Sequence, residues 1–462
     1  MSLTKASYSM ITGAVVNVLD YGADPTGATD SAAAIQAAIN SLGTYERGTV
    51  FIPKGAYKVA SSILVGGTAS AYPLVIEGVG QGTQIINAAS ATNPTFLCKG
   101  NHWFLKDMLL TGNSTNPNNG IEIDGTSIQT IRWNIENIVC QMAGVGIQMK
   151  NTNTGVIRDY KSWPDSNDNS LTIAQTVSAA DISHGIYALG SYAHDVSIYD
   201  ADCVVRAGWG AGVSGIKWST SGNSYNVRIF GGLVQGGADN AHLGLNMSRC
   251  IGLVVEGVYH ETSILQFSNC AHGSISGTNV AGVGGQIQLL NNTQYMTFTG
   301  CNCAVLYIVD SSCTYNKFEG CYFPTTITLD ASETSLPTNS FENLKNYTIS
   351  KYGGIRYKTI TYAASMTPNC HDGDIFVITA TNSTAFTINA PTNGVNGMVI
   401  KITVRNTSGG ALGTITWDSS FKMSAWTNPA NGFSRTVEFY YDTTYGSGSN
   451  WIQSSQTVDI PN

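Results

Sequence analysis

Charge is scarce in this chain: Asp, Glu, Lys and Arg together supply 11% of its 462 residues, against roughly 25% in ordinary globular proteins. That excludes coiled coils and charge-rich disordered segments, both of which need charge at high density. Basic runs are missing as well. With 23 Lys and Arg against 30 Asp and Glu, the net charge is −7, so the electrostatic footprint of a nucleic-acid binder is lacking. No segment approaches the ~18 consecutive apolar residues of a membrane helix. The opening Met1 to Gly22 holds no apolar stretch suited to a secretory signal, so a chain made in the cytoplasm without a signal peptide, and without membrane insertion, is expected. The 10 cysteines form no CxxC pair and sit among apolar residues, which reads as buried thiols and not as a disulfide scaffold. The seven histidines never pair at metal-ligand spacing, and Asp165-Ser-Asn-Asp168-Asn lacks the glycine and terminal glutamate of a calcium loop. Neither a metal nor another cofactor is expected.

What is present is apolar surface, at 42% of residues, together with 50 glycines. This is enough to bury a large core. Only one helical period is visible: Ser31 to Ser41, with Asp30 as its N-cap, Ile35 and Ile39 one turn apart, and Gly43 as its stop. Around it lie a strand at Val15 to Leu19, a turn-rich Asp20 to Gly27, and a β-branched run from Gly48 to Ile52 closed by Lys54-Gly55.

A repeat then dominates the chain. It reads as an apolar residue, any residue, then Gly, Asn or Asp, at Ile229-Phe-Gly231, Val255-Glu-Gly257, Ile275-Ser-Gly277, Phe298-Thr-Gly300, Phe318-Glu-Gly320 and Phe341-Glu-Asn343, spaced by 26, 20, 23, 20 and 23 residues. Weaker copies occur at Ile135-Glu-Asn137, Ile157-Arg-Asp159 and Ile198-Tyr-Asp200, where the longer gaps mark inserted loops. Cys250, Cys270, Thr293 and Cys313 each precede the repeat's glycine by seven residues, and Cys301 and Cys321 follow it by one. Short strands, tight turns and roughly 20 to 25 residues per repeat describe a right-handed parallel β-helix, in which equal positions stack and small thiols form inward ladders. From about Gly353 the repeat is lost. Alternating strands at Met398 to Arg405 and Thr436 to Tyr441, with Trp417, Trp426 and Trp451, indicate a separate antiparallel, β-sandwich-like domain. The expected organisation is therefore all-β: a short adaptor at 1–15, the β-helix with its capping helix at 16–352, and the terminal domain at 353–462.

The stretch Val16-Asn-Val-Leu-Asp-Tyr-Gly-Ala-Asp-Pro-Thr-Gly27, Asp30-Ser31, the Ala-rich helix and Gly48-Thr-Val-Phe-Ile-Pro-Lys-Gly55-Ala-Tyr57 resembles the amino-terminal cap of the phage tailspike and capsule-depolymerase group within the pectate-lyase-like β-helix superfamily. Gly410 to Trp417 and Asn450-Trp451 are similar to terminal β domains of phage tail proteins. The resemblance implies a homotrimer on a virion tail, docked directly or through another tail protein, that binds a bacterial capsular or lipopolysaccharide glycan and cleaves it. The cap itself carries no catalysis, because function lives in sites grafted on the fold.

Glycoside hydrolysis needs two carboxylates about 5 to 9.5 Å apart, and equal positions on neighbouring turns stack about 4.8 Å apart. The residue before the repeat's glycine should face outward, which puts Glu136, Arg158, Tyr199, Phe230, Glu256, Ser276, Thr299, Glu319 and Glu342 in one external column. The catalytic candidates are Asp202, Asp239, Glu256 and Glu261, with Trp163, Trp209, Trp218, Arg228, His242 and His260 as substrate contacts. Each carboxylate alone also fits a solvated edge. Asp200 stands where other repeats have the turn glycine, and His260 has inward parity in some alignments. The leading expectation is endo-acting hydrolysis. The alternatives are β-elimination on a uronate glycan, with His260 or His242 as base and Arg228 neutralising the carboxylate, and a non-catalytic adhesin.

Overall fold

A computed structural model describes residues 15–43, 48–67, 73–89, 93–112, 118–141, 144–162, 183–204, 214–235, 243–261, 264–281, 285–309, 312–324, 326–328, 339–342, 357–370, 373–394, 396–445 and 450–462. The chain divides into two compact units, Met1–Thr348 and Ile349–Asn462.

The first unit is a right-handed parallel β-helix. Each turn crosses three faces. Arg228–Phe230, Val254–Glu256 and Ser274–Ser276 pair on the first. Leu233–Gln235, Tyr259–Glu261 and Asn279–Ala281 pair on the second. Leu243–Ile251, Ile264–Ser268 and Gln286–Leu290 pair on the third. Side chains alternate across a strand, so one residue in two enters the core. Ile229, Val255, Ile275, Phe298 and Phe318 stack inward on the first face and are buried. The outward column runs as expected, from Glu136 through Arg158, Tyr199, Phe230, Glu256, Ser276 and Thr299 to Glu319, and Glu342 is the next residue in its register.

The corners are turned by single residues with positive φ, a region that costs L-residues energy and favours Gly, Asn and Asp. Between the first and second faces these are Asp107, Asn137, Asp159, Asp200, Gly231, Gly257, Gly277, Gly300 and Gly320, with φ between 48° and 65°. Between the third and first faces a second column includes Asp195, Asn226 and Gly252, and then His272, Tyr295 and Tyr315 at 54°, 54° and 58°. Strain of this kind costs about 1–3 kcal/mol per residue, of which ring stacking offsets about 0.5–1.5 kcal/mol per pair.

The cap forms as the sequence suggests, with two shifts. The first strand is only Val16–Asn17, because the Asn17 side chain accepts the Leu19 N–H at 3.0 Å and starts a 3-10 turn over Val18–Tyr21. The helix is Ala32–Asn40 with Ser31 as N-cap; Asp30 Oδ1 still accepts the Ala32 N–H at 3.0 Å. Asp24 ties the turn together by accepting from the backbone and hydroxyl of both Thr26 and Thr29, which hold its carboxyl well below the usual carboxylate range.

All 10 cysteines are free and buried. Burial pushes the Cys140 and Cys303 thiols up to about 12. Since the thiolate is the reactive form, a disulfide-exchange reagent is expected to find no thiol in the native protein at pH 8 and 10 after denaturation. Rapid labelling of the native chain would contradict this packing.

In the second unit Val399–Asn406, Phe433–Asp442 and Asn450–Gln456 make the expected antiparallel core. Parallel pairs are added to it: Tyr357–Ile360 with Ile375–Ala380, and the latter with Val399–Asn406. A small parallel sheet of Ser365–Met366, Phe386–Ile388 and Ile415–Trp417 lies alongside in the chain order. Trp451 is in the core, and Trp417 and Trp426 pack against it partly buried.

Candidate functional site

At the corner between the first and second faces, Arg158 pairs in register with Tyr199 and Lys161 with Asp202. Asp159 and Asp200 are thereby fixed one turn apart, about 4.8 Å between chain levels. Both are exposed. Neither carboxylate has a hydrogen-bond or ion-pair partner among the described residues, although both backbone N–H groups are bonded, to the Tyr199 and Phe230 carbonyls. The contrast with the rest of the column is informative. Asp107 receives the Asn137 amide at 2.7 Å and lies 3.6 Å from the Lys106 ammonium, while the turns beyond Asp200 use glycine. The corner geometry is served by Asn or Gly, so two opposed carboxylates there are not required by the fold and repel one another.

Gly231, next in the column, has φ 63°, and any side chain on it would meet the Asp200 carboxylate. Its bareness gives that carboxylate room. Asp202 completes the cluster: its Oδ1 accepts the Leu233 N–H at 3.1 Å and its Oδ2 lies 3.8 Å from the Lys161 ammonium. On the first-face side, Tyr199 and Phe230 stack at 5.2 Å and 16°, and the Arg158 guanidinium sits 4.9 Å from the Tyr199 ring centre. Glu256 follows Phe230 in the same column and is exposed.

The sequence-derived candidates separate into three groups. Asp202, Glu256, Glu261 and Arg228 are on outer faces, but no two of the acids are register neighbours. Asp202 lies between Lys161 and Leu233, Glu256 between Phe230 and Ser276, and Glu261 between Gln235 and Ala281. Trp218 and His260 are in the core instead of on a sugar-binding surface, each at 0% exposure. Trp218 stacks inward between Ala188 and Met247, and His260 between Val234 and Val280. An imidazole there cannot reach a substrate proton, and burial lowers its pKa to about 3. Trp163, Trp209, Asp239 and His242 lie outside the described residues. The Asp159–Asp200 juxtaposition was the signal that sequence reading missed. It was present in the repeat alignment, where both residues occupy the glycine position of neighbouring turns.

The third face carries an open groove of about 710 Å³, lined by Tyr187, Ser191, Ser219, Ser221, Ser248 and Arg249 among others. At the outward position beside Tyr187, Lys217 is buried, its ammonium 5.6 Å from that ring's centre. No group of three or more metal-binding side chains occurs among the described residues, and none of their helices is long and apolar enough to cross a membrane.

Residues 15–114 of this coil match the family model described as rhamnogalacturonase A/epimerase, pectate lyase-like. Among solved structures, ORF18 of Geobacillus virus E2 is similar at 13% identity and a TM-score of 0.45, over 97% of this chain and 77% of that one. PfbA, a surface adhesin of Streptococcus pneumoniae, is similar at 13% identity and 0.43, over 95% and 99%. The A-module of the Azotobacter vinelandii mannuronan C-5 epimerase AlgE6 is similar at 16% identity and 0.40, over 89% and 100%. No curated protein matches the sequence.

Proposed function

We propose that the protein binds a bacterial surface polysaccharide and cuts it by endo-acting hydrolysis at the corner formed by Asp159, Asp200 and Asp202. The supporting observation is the unpartnered carboxylate pair on adjacent turns, Asp159 and Asp200, beside the stacked Tyr199 and Phe230 rings. One carboxyl protonates the leaving oxygen while the other serves the anomeric centre from the opposite side, directly or through a water. Asp202, held by Lys161 and the Leu233 N–H, stands next to the pair. The rings offer an apolar surface to the sugar. Attachment to a virion tail and assembly as a homotrimer belong to the same proposal and rest on the resemblance of the amino-terminal motif.

The test is incubation of the full chain with a panel of capsular and O-antigen polysaccharides, followed by mass spectrometry of the products. Fragments that have gained one water per cut support hydrolysis. Unsaturated fragments lacking that water, which absorb in the ultraviolet, would replace hydrolysis by β-elimination. Binding to a panel member that then stays intact would make the protein an adhesin. Light scattering of the purified protein reads the oligomer, and a monomer overturns the trimer.

A further inference from the structure

A second feature lies at a different corner, between the third and first faces. Tyr225 pairs with Ile251, Ile251 with Ala271 and Ala271 with Gln294, so Asn226, Gly252, His272 and Tyr295 follow one another in a single column. His272 stacks on Tyr295 and Tyr295 on Tyr315, each pair at 5.0 Å and 6°. Tyr295 and Tyr315 are 47% and 53% exposed. All three ring-bearing residues have positive φ at a position that Gly252 and Asn226, residue types better suited to it, fill one and two turns away from His272. The fold thus does not need rings there.

The stack ends abruptly. The imidazole face of His272 turned away from Tyr295 looks down the column at Gly252, which has no side chain. A Cβ built on Gly252 meets only Asn226 within 4 Å. From the His272 level to the Asn226 level is two turns, about 9.6 Å, with one empty storey between them. Asn226 closes the floor: its amide nitrogen donates to Asp195 Oδ1 at 2.9 Å, which leaves its Oδ1 as the atom nearest Gly252, at 3.3 Å from that built Cβ. Two cations flank the slot in sequence. Arg228 is two residues beyond Asn226 and Arg249 three before Gly252; both are exposed, and neither has an ion-pair partner among the described residues. The Arg249 guanidinium donates to the Ser221 carbonyl at 2.9 Å and also lines the third-face groove, which offers the rest of an oligomer a path away from the slot.

We propose that this slot holds one carboxylate-bearing pyranose residue of an acidic glycan, its C–H face against His272, a hydroxyl donated to Asn226 Oδ1 and its carboxylate met by Arg228 or Arg249. Flat ring-on-ring contact and arginine–carboxylate pairing are chemically matched to a uronate-type sugar. The inference takes its ligand class from the polysaccharide reading, but it does not depend on cleavage at the Asp159–Asp200 corner.

The experiment titrates oligomers of galacturonic acid, and galactose oligomers of equal length, into the full chain, with affinity read by calorimetry and ring contact by saturation-transfer NMR. Gly252→Asn fills the slot with a residue that the column already accepts at Asn226, and His272→Asn removes the ring while keeping a residue suited to positive φ. The expected result is that the acidic oligomer binds more tightly than the neutral one and that each slot variant weakens it at least tenfold. Unchanged affinity in both slot variants overturns the proposal, as does failure of the parent to bind the acidic oligomer or equal binding of the two oligomers. Loss of binding only on joint Asp159→Asn and Asp200→Asn replacement would assign the sugar to the other corner. Failure of the cleavage reading alone appears as absent turnover with slot binding intact.

Discussion

Replacing Asp159 and Asp200 together by asparagine is expected to lower kcat on a cleaved polysaccharide by about 10²–10⁴-fold, the usual share of a positioned acid–base group, while the melting temperature stays level or rises. The two halves of the prediction have different causes. Turnover falls because an amide can neither give up a proton to the leaving oxygen nor take one from water. Stability does not fall because the corner accepts Asn, as at Asn137 with φ 50°, and because the substitution removes two like charges held one turn apart. A merely structural role for these carboxylates would move both readouts downward together. The comparison variant is Glu256→Gln with Glu261→Gln. Those acids have no acidic register neighbour, so their joint replacement should cost far less turnover. A larger loss there than in the aspartate pair would transfer the site to Glu256 on the first face and Glu261 on the second.

The second large effect is on stability. His260 is fully buried between Val234 and Val280, and neither ring nitrogen has a hydrogen-bond partner among the described residues. Burial lowers its pKa to about 3, against about 6.5 in the unfolded chain. Between those values the unfolded state binds a proton that the folded state refuses. The fold therefore keeps its full stability above about pH 6.5 and loses about 1.4 kcal/mol for each pH unit below it. His260→Leu keeps the volume and removes the titration. At pH 7.5 it should stabilise the solenoid by about 1–3 kcal/mol, the cost of a buried polar group left unpaired. At pH 4.5 the advantage over the parent should widen by about 2–3 kcal/mol, two units of that slope. Urea unfolding of both proteins at the two pH values gives the comparison, in which the other titrating groups cancel. An advantage that does not change with pH would show that His260 is not buried in the neutral form.

Much of the solenoid was legible because it obeys two simple periods. Alternation along a strand and recurrence every 20 to 26 residues are local properties. They were enough to assign the outward column through Phe230 and Glu256 and the inward cysteines at Cys250, Cys270, Cys301, Cys313 and Cys321. The same alternation was ambiguous where a strand is only three residues long. In Tyr259–Glu261 the inward residue is the central His260, a fact set by its pairing with Val234 and Val280 and not by its own neighbours in sequence. Trp218 misled for a related reason: aromatic chemistry suits a sugar face and a core equally, and only the register with Ala188 and Met247 decides which.

By itself, then, the sequence determined the parallel coil, its cap, the spacing of its turns, the buried state of its thiols and the change to a separate β unit, because each follows from periodicity or from the φ preferences of Gly, Asn and Asp. Only the tertiary structure decided which residues of distant turns stand side by side. Asp159 and Asp200 are 41 positions apart in the chain, with a long connection between them, and the loop length is invisible to any local rule. Stacking cancels it: once parallel hydrogen bonding sets the turns about 4.8 Å apart, two corner residues become an opposed pair of charges. The bare Gly252 likewise becomes an empty storey beneath His272 only because the ladder above and below it is filled.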